Sequence, residues 1–387
     1  MLKALVNGRV LLDEGLVTDR VVLIDEGRVL AVASPHDPRC KTAATRDLQG
    51  GMLLPGFIDV QVNGGGGVLF NDGPCIETIR TIAAAHRRFG TTSLLPTLIS
   101  DELPVVARAI DAVRCAIAAS VPGVIGIHIE GPYLNGARKG THDAGKFRTL
   151  NSEALALLSS LNNGRTLVTL APEMTTPDMI ASLVAGGVVV SAGHTNATYA
   201  EVESALRSGL TGFTHLFNAM SPLTSREPGA VGAALHDQHS WCGIIVDGHH
   251  VSPVALQIAL RCKGFDHFML VTDAMSSVGT DQTSFMLQGK KIIVRDGKCV
   301  DEQGTLSGSA LDMASAVRNA ITMLGIDLAQ AVRMASTNPA RFLGMDDEIG
   351  RIGPGYRANL VLADDALNVL DTWIDGQSTS SDCLTTQ

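Results

Sequence analysis

Eight short runs rich in β-forming residues recur between residues 57 and 274, and segments with helical periodicity separate them. Strands that alternate with helices in this way are typical of parallel βα units, in which each helix covers the sheet. Eight such units predict an α/β fold, a (β/α)8 TIM-like barrel, with its chemistry at the C-terminal ends of the strands. The runs are residues 57–63, 92–97, 124–130, 167–173, 188–194, 212–218, 242–250 and 268–274.

The two ends of the chain have a different pattern. Residues 1–52 contain alternating apolar runs separated by Asn-Gly and Glu-Gly pairs, which are hairpin signals. Residues 346–387 contain similar strand-like runs, and two distant ends that both form strands often share one sheet. We therefore expect a small β-sandwich domain built from residues 1–52 and 346–387, beside a hydrolase-type barrel over residues 53–345.

The composition of the 387-residue chain excludes several classes of protein. Its net charge of −9 and its singly scattered Lys and Arg residues oppose binding of nucleic acid or of an anionic membrane surface. No run approaches the roughly 18 apolar residues of a membrane span. Polar and charged residues interrupt the N-terminal stretch too early for a signal peptide. These features predict a soluble protein without a nucleic-acid or membrane partner.

The cysteine pattern indicates a reducing compartment. The seven cysteines are odd in number and include no C-x-x-C pair, which opposes both a disulfide framework and a structural zinc site. We therefore expect reduced thiols and a cytoplasmic location. The seven are Cys40, Cys75, Cys115, Cys242, Cys262, Cys299 and Cys383.

Six of the eight runs end in side chains that can take part in catalysis or metal binding. A single buried histidine is more often a hydrogen-bonded core residue than a ligand, but the same habit at six strand ends is hard to assign to chance. Because the strand ends of a closed barrel meet at one face, we expect these side chains to surround a common site. They are Gln61, Asn63, His128, Glu130, His194, His215, His249, His250 and Asp273.

Glu130, His194 and His215 form the candidate metal site. One carboxylate and two imidazoles, with a position left open for water, match a catalytic Zn²⁺ or Fe²⁺ ion. The three residues are far apart in the sequence, so their spacing alone is a weak signal. Their positions at the ends of the third, fifth and sixth runs strengthen it, because a closed barrel brings those ends together.

Asp273 ends the eighth run and is the candidate proton-transfer residue. A carboxylate that faces a metal-activated water can accept its proton and later return it to a leaving group. The alternative is an aspartate that caps a helix or closes a loop. No lysine lies at any strand end, which argues against a Schiff-base aldolase and against a carbamylated lysine that bridges two metal ions.

Several loop residues fit an anionic, hydroxylated ligand. Arg226 could clamp a phosphate with its guanidinium group, together with His250 and backbone N–H groups near Asn218 and Ala219. The alternative for Arg226 is an ordinary surface arginine. His142, in the loop sequence KGTHDAG, could reach a substrate carbonyl or could face solvent.

Eight motifs follow one another along nearly the whole chain: PGFIDVQVNGGGG, HIEGPYLN, KGTHDAG, SAGHTNA, THLFNAMSPLTSREPG, VDGHH, VTDAM and IGRIGPGYRANLVLAD. Together they resemble the N-acetylglucosamine-6-phosphate deacetylase family of the amidohydrolase superfamily, and HIEGP, HLFNAM and REPG are specific to that branch. The resemblance implies a (β/α)8 barrel beside a small β-sandwich made from both termini, usually in a homodimer. It also implies a small-molecule substrate, an amino-sugar phosphate.

The resemblance assigns catalytic roles to five residues. Glu130, His194 and His215 correspond to the family's metal ligands. Asp273 corresponds to its general base and acid, and His142 to the residue that orients and polarises the acetamide carbonyl. The implied reaction is amide hydrolysis by a metal-activated water, with Asp273 taking the proton and then returning it to the departing sugar amine. The products would be acetate and glucosamine 6-phosphate.

The resemblance also implies the substrate contacts. In this family the residues that correspond to Arg226 and His250 can reach across from a neighbouring subunit. Leu306 lies where the family closes a loop over the substrate. These contacts lie far from the reacting bond, so they provide position and selectivity. The residues are Asn218, Ala219, Arg226, His250 and Leu306.

Gln61 and Asn63 occupy a position where binuclear relatives carry a His-x-His pair that helps to hold one of two metal ions. Two residues that are two apart on a strand point to the same face. Neutral amides are poor ligands for Zn²⁺ or Fe²⁺, because their oxygen is weakly basic and does not offset the ion's charge. We therefore interpret the pair as hydrogen-bonding groups in a vacated second metal site, and we expect one divalent metal ion per subunit.

Three alternatives stay open from the sequence. An N-acetylgalactosamine-6-phosphate deacetylase differs in substrate at one hydroxyl group, and no residue decides between the two sugars. A cyclic-amide hydrolase would not need the phosphate contacts of Arg226 and His250. A non-catalytic barrel that acts as a binding protein would not need the complete set of metal ligands and base. The choice between Zn²⁺ and Fe²⁺ and the choice between catabolic and cell-wall recycling roles are also open.

Overall fold

The computed structural model describes residues 2–380. Its strands are, in chain order, β1 Lys3–Leu12, β2 Gly15–Asp25, β3 Arg28–Ala33, β4 Ala44–Asp47, β5 Met52–Pro55, β6 Phe57–Val62, β7 Gly64–Gly65, β8 Val68–Leu69, β9 Thr91–Ile99, β10 Gly126–Glu130, β11 Arg165–Leu170, β12 Val189–Ala192, β13 Gly212–Phe213, β14 Trp241–Ile244, β15 Phe268–Leu270, β16 Ser284–Leu287, β17 Lys290–Arg295, β18 Lys298–Val300, β19 Leu306–Ser309, β20 Leu360–Ala363, β21 Val369–Ile374 and β22 Gln377–Ser378.

The α-helices are α1 Ile76–Arg87, α2 Leu103–Ala118, α3 Ser152–Leu158, α4 Pro177–Ala185, α5 Tyr199–Arg207, α6 Gly229–His236, α7 Pro253–Lys263, α8 Met313–Leu324, α9 Leu328–Ala335 and α10 Thr337–Phe342. Local sequence sets several of their ends. Thr198 begins α5 with a capping box, in which its side chain accepts from the Glu201 N–H and the Glu201 side chain accepts from the Thr198 N–H. Gly325 ends α8 in the left-handed conformation that glycine adopts without strain.

Eight parallel strands form the barrel, in the order β6-β9-β10-β11-β12-β13-β14-β15. One α-helix, from α1 to α8, follows each of them before the next. The last strand region closes on the first, because the Asp273 N–H donates to the Gln61 carbonyl at 3.0 Å and the Asn63 N–H donates to the Ala274 carbonyl at 2.9 Å. The expected (β/α)8 barrel is confirmed, and each of the eight predicted runs contains or overlaps one of its strands.

The barrel strands are buried on both faces, as their nearly continuous apolar runs indicate. All nine residues of β9 and all six of β6 are buried. Helices cover the outer face of a parallel sheet, and side chains from the strands fill its interior, so neither face needs polar residues. Polar side chains inside this barrel therefore need a local explanation.

A second sheet joins the two ends of the chain. Its strand order is β22-β21-β20-β5-β1-β2-β3, with β4 paired to β1, and its core includes Leu5, Leu53 and Trp373. The strand β5 pairs with both β1 and β20, so this sheet extends through Pro55, beyond the boundary expected at residue 52. The chain then enters the barrel at Gly56, where a Cβ atom would collide with the Thr92 side chain.

A four-stranded antiparallel sheet, β16-β17-β18-β19, is inserted between β15 and α8. None of the strands predicted from the sequence lies in this segment. Its inner side packs Leu287 and Ile292 against Ile99 and Met275 from the mouth of the barrel. The inserted sheet therefore stands over the C-terminal ends of the barrel strands, where the candidate residues lie.

Two further expectations concern the whole chain. No helix within residues 2–380 is long and apolar enough to cross a membrane. Six of the seven cysteines fall in this range, and all six are free thiols. Cys383 lies outside the described residues.

Candidate active site

A cavity of about 330 Å³ opens at the C-terminal end of the barrel. Most of the candidate residues meet there, although they come from separate strand ends and loops. The cavity is lined by Glu130, His142, His194, His215, Asn218, Ala219, His250, Asp273 and Leu306. Gln61 and Asn63 lie at its base, where both side chains contact Asp273. Arg226 is exposed and does not line the cavity of its own chain.

Three buried donor atoms converge in the cavity. The Nε2 atom of His215 lies 2.9 Å from Oε1 of Glu130, the Nε2 atom of His194 lies 3.2 Å from the same oxygen, and the two Nε2 atoms lie 3.1 Å apart. Ligand atoms around a tetrahedral zinc ion with bonds of 2.0–2.1 Å are separated by roughly 3.3 Å. The donor set of Glu130, His194 and His215 therefore fits one divalent metal ion.

Neighbouring groups prepare these side chains to bind a cation. The Nδ1 atom of His194 donates to the Arg138 carbonyl at 2.9 Å, so its Nε2 atom keeps a free lone pair. Burial alone raises the pKa of Glu130, but the adjacent His194 and His215 rings outweigh burial and hold that pKa well below its usual range. The site therefore presents an ionised carboxylate and an imidazole nitrogen at the point where the three atoms meet.

Gln61 and Asn63 point their N–H groups, rather than their oxygens, at the two carboxylates. The Nε2 atom of Gln61 lies 3.3 Å from both Glu130 oxygens and 3.2 Å from Oδ1 of Asp273. The Nδ2 atom of Asn63 donates to the same Asp273 oxygen at 2.6 Å. A carboxylate can only accept, so it holds each amide in this orientation. An amide N–H group cannot ligate a metal ion.

Asp273 carries a carboxyl group whose surroundings raise its basicity. Burial raises its pKa to about 6, with a further contribution from the negative charge of Glu130. The carboxyl group is therefore ionised at neutral pH, yet it is a stronger base than an exposed aspartate. Just below it, the Thr272 hydroxyl donates to the buried Asp59 carboxyl at 2.5 Å, which ties the first and last barrel strands together.

His142 contacts the site from the loop that follows β10. Its Nδ1 atom lies 2.8 Å from the Ser100 hydroxyl and accepts from the Ser100 backbone N–H at 3.3 Å. Burial lowers the pKa of His142 to about 3, so the ring is neutral. Since Nδ1 accepts, the ring proton is on Nε2, which lies 4.0 Å from Oε2 of Glu130. His142 therefore offers an N–H donor beside Glu130, His194 and His215.

Left-handed backbone conformations cluster at this face of the barrel. They are uncommon for residues other than glycine, and at functional sites they persist because the surrounding structure enforces them. Here four of the five residues line the cavity, and Phe217 does not. The residues are His194 at φ +48°, His215 at +35°, Phe217 at +78°, Ala219 at +50° and Asp273 at +51°.

Two strand-end histidines lie outside the cavity. His128 is inside the barrel below it, with Nδ1 3.3 Å from the Thr97 hydroxyl and Nε2 2.8 Å from the Thr169 hydroxyl. Burial lowers the pKa of His128 to about 4, so it is a neutral, hydrogen-bonded core residue. His249 is exposed, whereas its neighbour His250 donates from Nδ1 to Asp247 at 2.6 Å and lines the cavity.

The cavity also contains residues that the sequence analysis missed. Within the described residues, Arg138 is the one missed lining residue that has a charged side chain. Its Nε atom donates to the Asn196 side chain at 3.0 Å. Its position four residues before His142 was the one signal that could have found it. The other missed lining residues are Ile99, Ala137, Gly140, Thr141, Ile245, Met275, Thr305 and Gly308.

Comparison with known proteins identifies relatives of the whole chain. Residues 52–379 match the model of the amidohydrolase family. The chain is 49% identical over 331 residues to an N-acetylgalactosamine-6-phosphate deacetylase of Shewanella sp. (strain ANA-3), covering 85% of this chain and 84% of the relative. It is 36% identical over 377 residues to an N-acetylglucosamine-6-phosphate deacetylase of Haemophilus influenzae, covering 97% of this chain and 98% of the relative. The crystal structure of N-acetylglucosamine-6-phosphate deacetylase from Pasteurella multocida superposes with a TM-score of 0.95 at 36% identity, covering 98% of this chain and all of that one.

Proposed function

The chain belongs to the amidohydrolase family and is a hydrolase of an amide bond, and we propose that it deacetylates N-acetyl-D-glucosamine 6-phosphate to D-glucosamine 6-phosphate and acetate. One observation carries this proposal. A donor set for a single metal ion, an ionised carboxylate and a neutral imidazole N–H donor face the same cavity. Metal-assisted hydrolysis of an unactivated amide uses these three functions together.

The metal ion, when bound by Glu130, His194 and His215, supplies a Lewis acid that makes water nucleophilic near neutral pH. The protein's own residues do the rest. Asp273 takes a proton from the attacking water and delivers it to the departing sugar nitrogen. The Nε2–H group of His142 donates to the acetyl oxygen as negative charge develops there.

An N-acetylgalactosamine-6-phosphate deacetylase is the second candidate, because the relative from Shewanella with 49% identity carries that name. The two sugars differ at one hydroxyl group, so both fit the proposed chemistry. Deacetylation rates on both sugar phosphates, measured on one metal-analysed sample, test the proposal. A higher kcat/KM on the glucosamine derivative supports it, and a preference for the galactosamine derivative replaces it with the second candidate. Failure on both sugars would remove both candidates.

We propose that one divalent ion, Zn²⁺ or Fe²⁺, is bound per chain. Gln61 and Asn63 support this, since their N–H groups face Glu130 and Asp273 where a second ion would need acceptor atoms. We expect elemental analysis of purified, metal-saturated protein to give about one ion per chain. Two ions per chain, with density beside Gln61 and Asn63, would contradict this interpretation.

We further propose a homodimer in the cytoplasm, in which Arg226 binds the substrate phosphate in the partner's cavity. The exposure of Arg226 supports this, as do large apolar side chains that remain exposed near it in sequence and beside His250. Leu223 is 58% exposed, and Val254 and Ile258, which lie one turn apart on α7, are 63% and 52% exposed. Six reduced cysteines are consistent with the cytoplasm.

Replacing Arg226 with alanine is expected to raise KM for the sugar phosphate about ten- to a hundred-fold, because a hydrogen bond to a charged group contributes about 1.5–3 kcal/mol. The rate on unphosphorylated N-acetylglucosamine should not change. Arg207→Ala, on the exposed side of α5, is the matched control. An unchanged KM in Arg226→Ala would remove the phosphate contact from the proposal.

A further inference from the structure

The inserted sheet turns back toward the barrel at Gln288 and Gly289. Leu287 pairs with Lys290, so these two residues form a two-residue hairpin loop, with φ +47° at Gln288 and +81° at Gly289. Two left-handed residues are the geometry of a type I′ turn, for which Asn-Gly and Asp-Gly are strongly preferred. Glutamine at the first position is therefore a poor choice for the turn itself.

The Gln288 side chain accounts for this choice, because both ends of its amide are used. Its Nε2 atom donates to the Ser100 carbonyl at 2.8 Å, and its Oε1 atom accepts from the Asp143 backbone N–H at 3.0 Å. Ser100 follows β9, at the mouth of the barrel, and Asp143 lies in the loop after β10. One side chain thus joins the inserted sheet, a barrel strand and that loop.

These two contacts lie on either side of His142. Ser100 contacts the His142 ring at Nδ1 through both its hydroxyl and its backbone N–H, and Asp143 is the next residue in the chain. By holding Ser100, Gln288 fixes the groups that contact Nδ1 and so keep the ring proton on Nε2. By holding Asp143, it fixes the backbone next to His142. A shift of Ser100 or Asp143 would move the His142 ring, or would let its proton transfer from Nε2 to Nδ1.

We propose that Gln288 is a positioning residue for the reaction: its amide holds Ser100 and the His142 loop together, so that the His142 Nε2–H group points at the acetyl oxygen. This inference rests on the role given to His142 in the proposed function. Gln288 belongs to the inserted sheet and contacts none of the reacting atoms, so it would affect kcat only through His142.

Substitution by asparagine separates this role from a structural one. Asparagine keeps the amide and suits a type I′ turn better than glutamine, so the hairpin should be as stable or more stable. Its side chain is one methylene shorter, however, so it cannot reach Ser100 and Asp143 together. Because a misplacement of about 1 Å at a reacting group can cost a hundred-fold in rate, we expect Gln288→Asn to lower kcat about ten-fold or more.

The other readouts should stay constant in Gln288→Asn. We expect KM within about two-fold of the wild-type value, unchanged metal content and an unchanged or higher Tm, because the phosphate contacts and metal ligands are untouched. Gln288→Glu keeps the reach and the acceptor for Asp143 but places a second acceptor against the Ser100 carbonyl, so its kcat should fall as well. An unchanged kcat in Gln288→Asn, or a fall that comes with a lower Tm or lost metal, would overturn the proposal.

The second hairpin of the same sheet provides the control. Asp296 and Gly297 form an equivalent two-residue loop, with φ +51° and +76°, and the Asp296 side chain is exposed. Asp296→Asn therefore makes the same kind of turn substitution without a contact to the His142 loop. We expect its kcat to match the wild-type value, and a fall like that of Gln288→Asn would count against the proposal.

Nitrogen NMR of the histidine rings in Zn²⁺-loaded protein distinguishes failure of this proposal from failure of the proposed function. His142, assigned from the spectrum of His142→Gln, should carry its proton on Nε2 in the wild type. In Gln288→Asn a second, Nδ1-protonated form should appear or the resonances should broaden. An identical His142 signal in both proteins would overturn the positioning role, whatever the substrate is found to be.

Discussion

Glu130→Gln is expected to remove the metal ion and to lower kcat/KM about a thousand-fold or more. Glu130 is the one anionic member of the donor set, and its Oε1 atom lies within 3.2 Å of the Nε2 atoms of both His194 and His215. Glutamine has the same shape but no charge, and its oxygen is a weak ligand. Losing the several kcal/mol of transition-state stabilisation that a metal ion supplies corresponds to this factor.

Two measurements on the same sample check this prediction: elemental analysis and a deacetylation assay. The Glu130→Gln protein should contain far less than one ion per chain and should regain little activity in excess Zn²⁺. Glu203→Gln, the same change of charge at a half-buried position on α5, should keep both metal and activity. Full metal content with wild-type activity in Glu130→Gln would show that the metal site lies elsewhere.

Asp273→Asn is expected to lower kcat about a hundred- to ten-thousand-fold, the usual contribution of general acid–base catalysis, while the metal ion stays bound. Asp273 is not one of the converging donor atoms, and its Oδ1 atom instead accepts from Gln61 and Asn63. Asparagine fits the same space and can still accept from these amides through its oxygen. It cannot take a proton from water or return one to the sugar amine.

The metal content of Asp273→Asn decides the role of this residue. A bound ion together with a large loss of kcat identifies a proton-transfer group. A lost ion would instead make Asp273 a ligand, and near-normal kcat would remove it from the mechanism. Asp281→Asn, an exposed aspartate in the loop that follows, is the control for the charge change.

Much of the barrel could be predicted because the burial of each parallel strand is visible in its own amino-acid sequence. A strand covered on both faces is almost wholly apolar, as β6 and β9 are, so its end is visible where polar residues begin. That boundary marks the positions of Glu130, His194, His215 and Asp273 in the sequence. The same criterion, polar residues at a strand end, also selected one residue that does not line the cavity. His128 is near a strand end, but its ring lies in the barrel interior, where it is hydrogen-bonded to threonine hydroxyls.

Part of the inserted sheet can be predicted by the same kind of reasoning. Residues 284–300 contain two runs of three consecutive apolar residues, at 285–287 and 292–294, and an Asp-Gly pair at the second turn is a strong hairpin signal. Local pattern therefore predicts the second hairpin, whereas the Gln-Gly pair at the first turn is a weak signal. It does not predict that the first turn reaches Ser100, because that contact spans 188 residues of sequence.

The sequence by itself determined the kind and number of the barrel strands, the residues at their ends and hence the class of chemistry, because burial and periodicity are properties of short segments. The tertiary structure alone decided which atoms meet: the 2.9–3.2 Å spacing of the donor trio, the N–H groups that Gln61 and Asn63 turn toward the carboxylates, and the acceptor role of Nδ1 in His142. These depend on barrel closure and on left-handed turns at the strand ends. Both are set by contacts between segments that are distant in the chain, so no local pattern contains them.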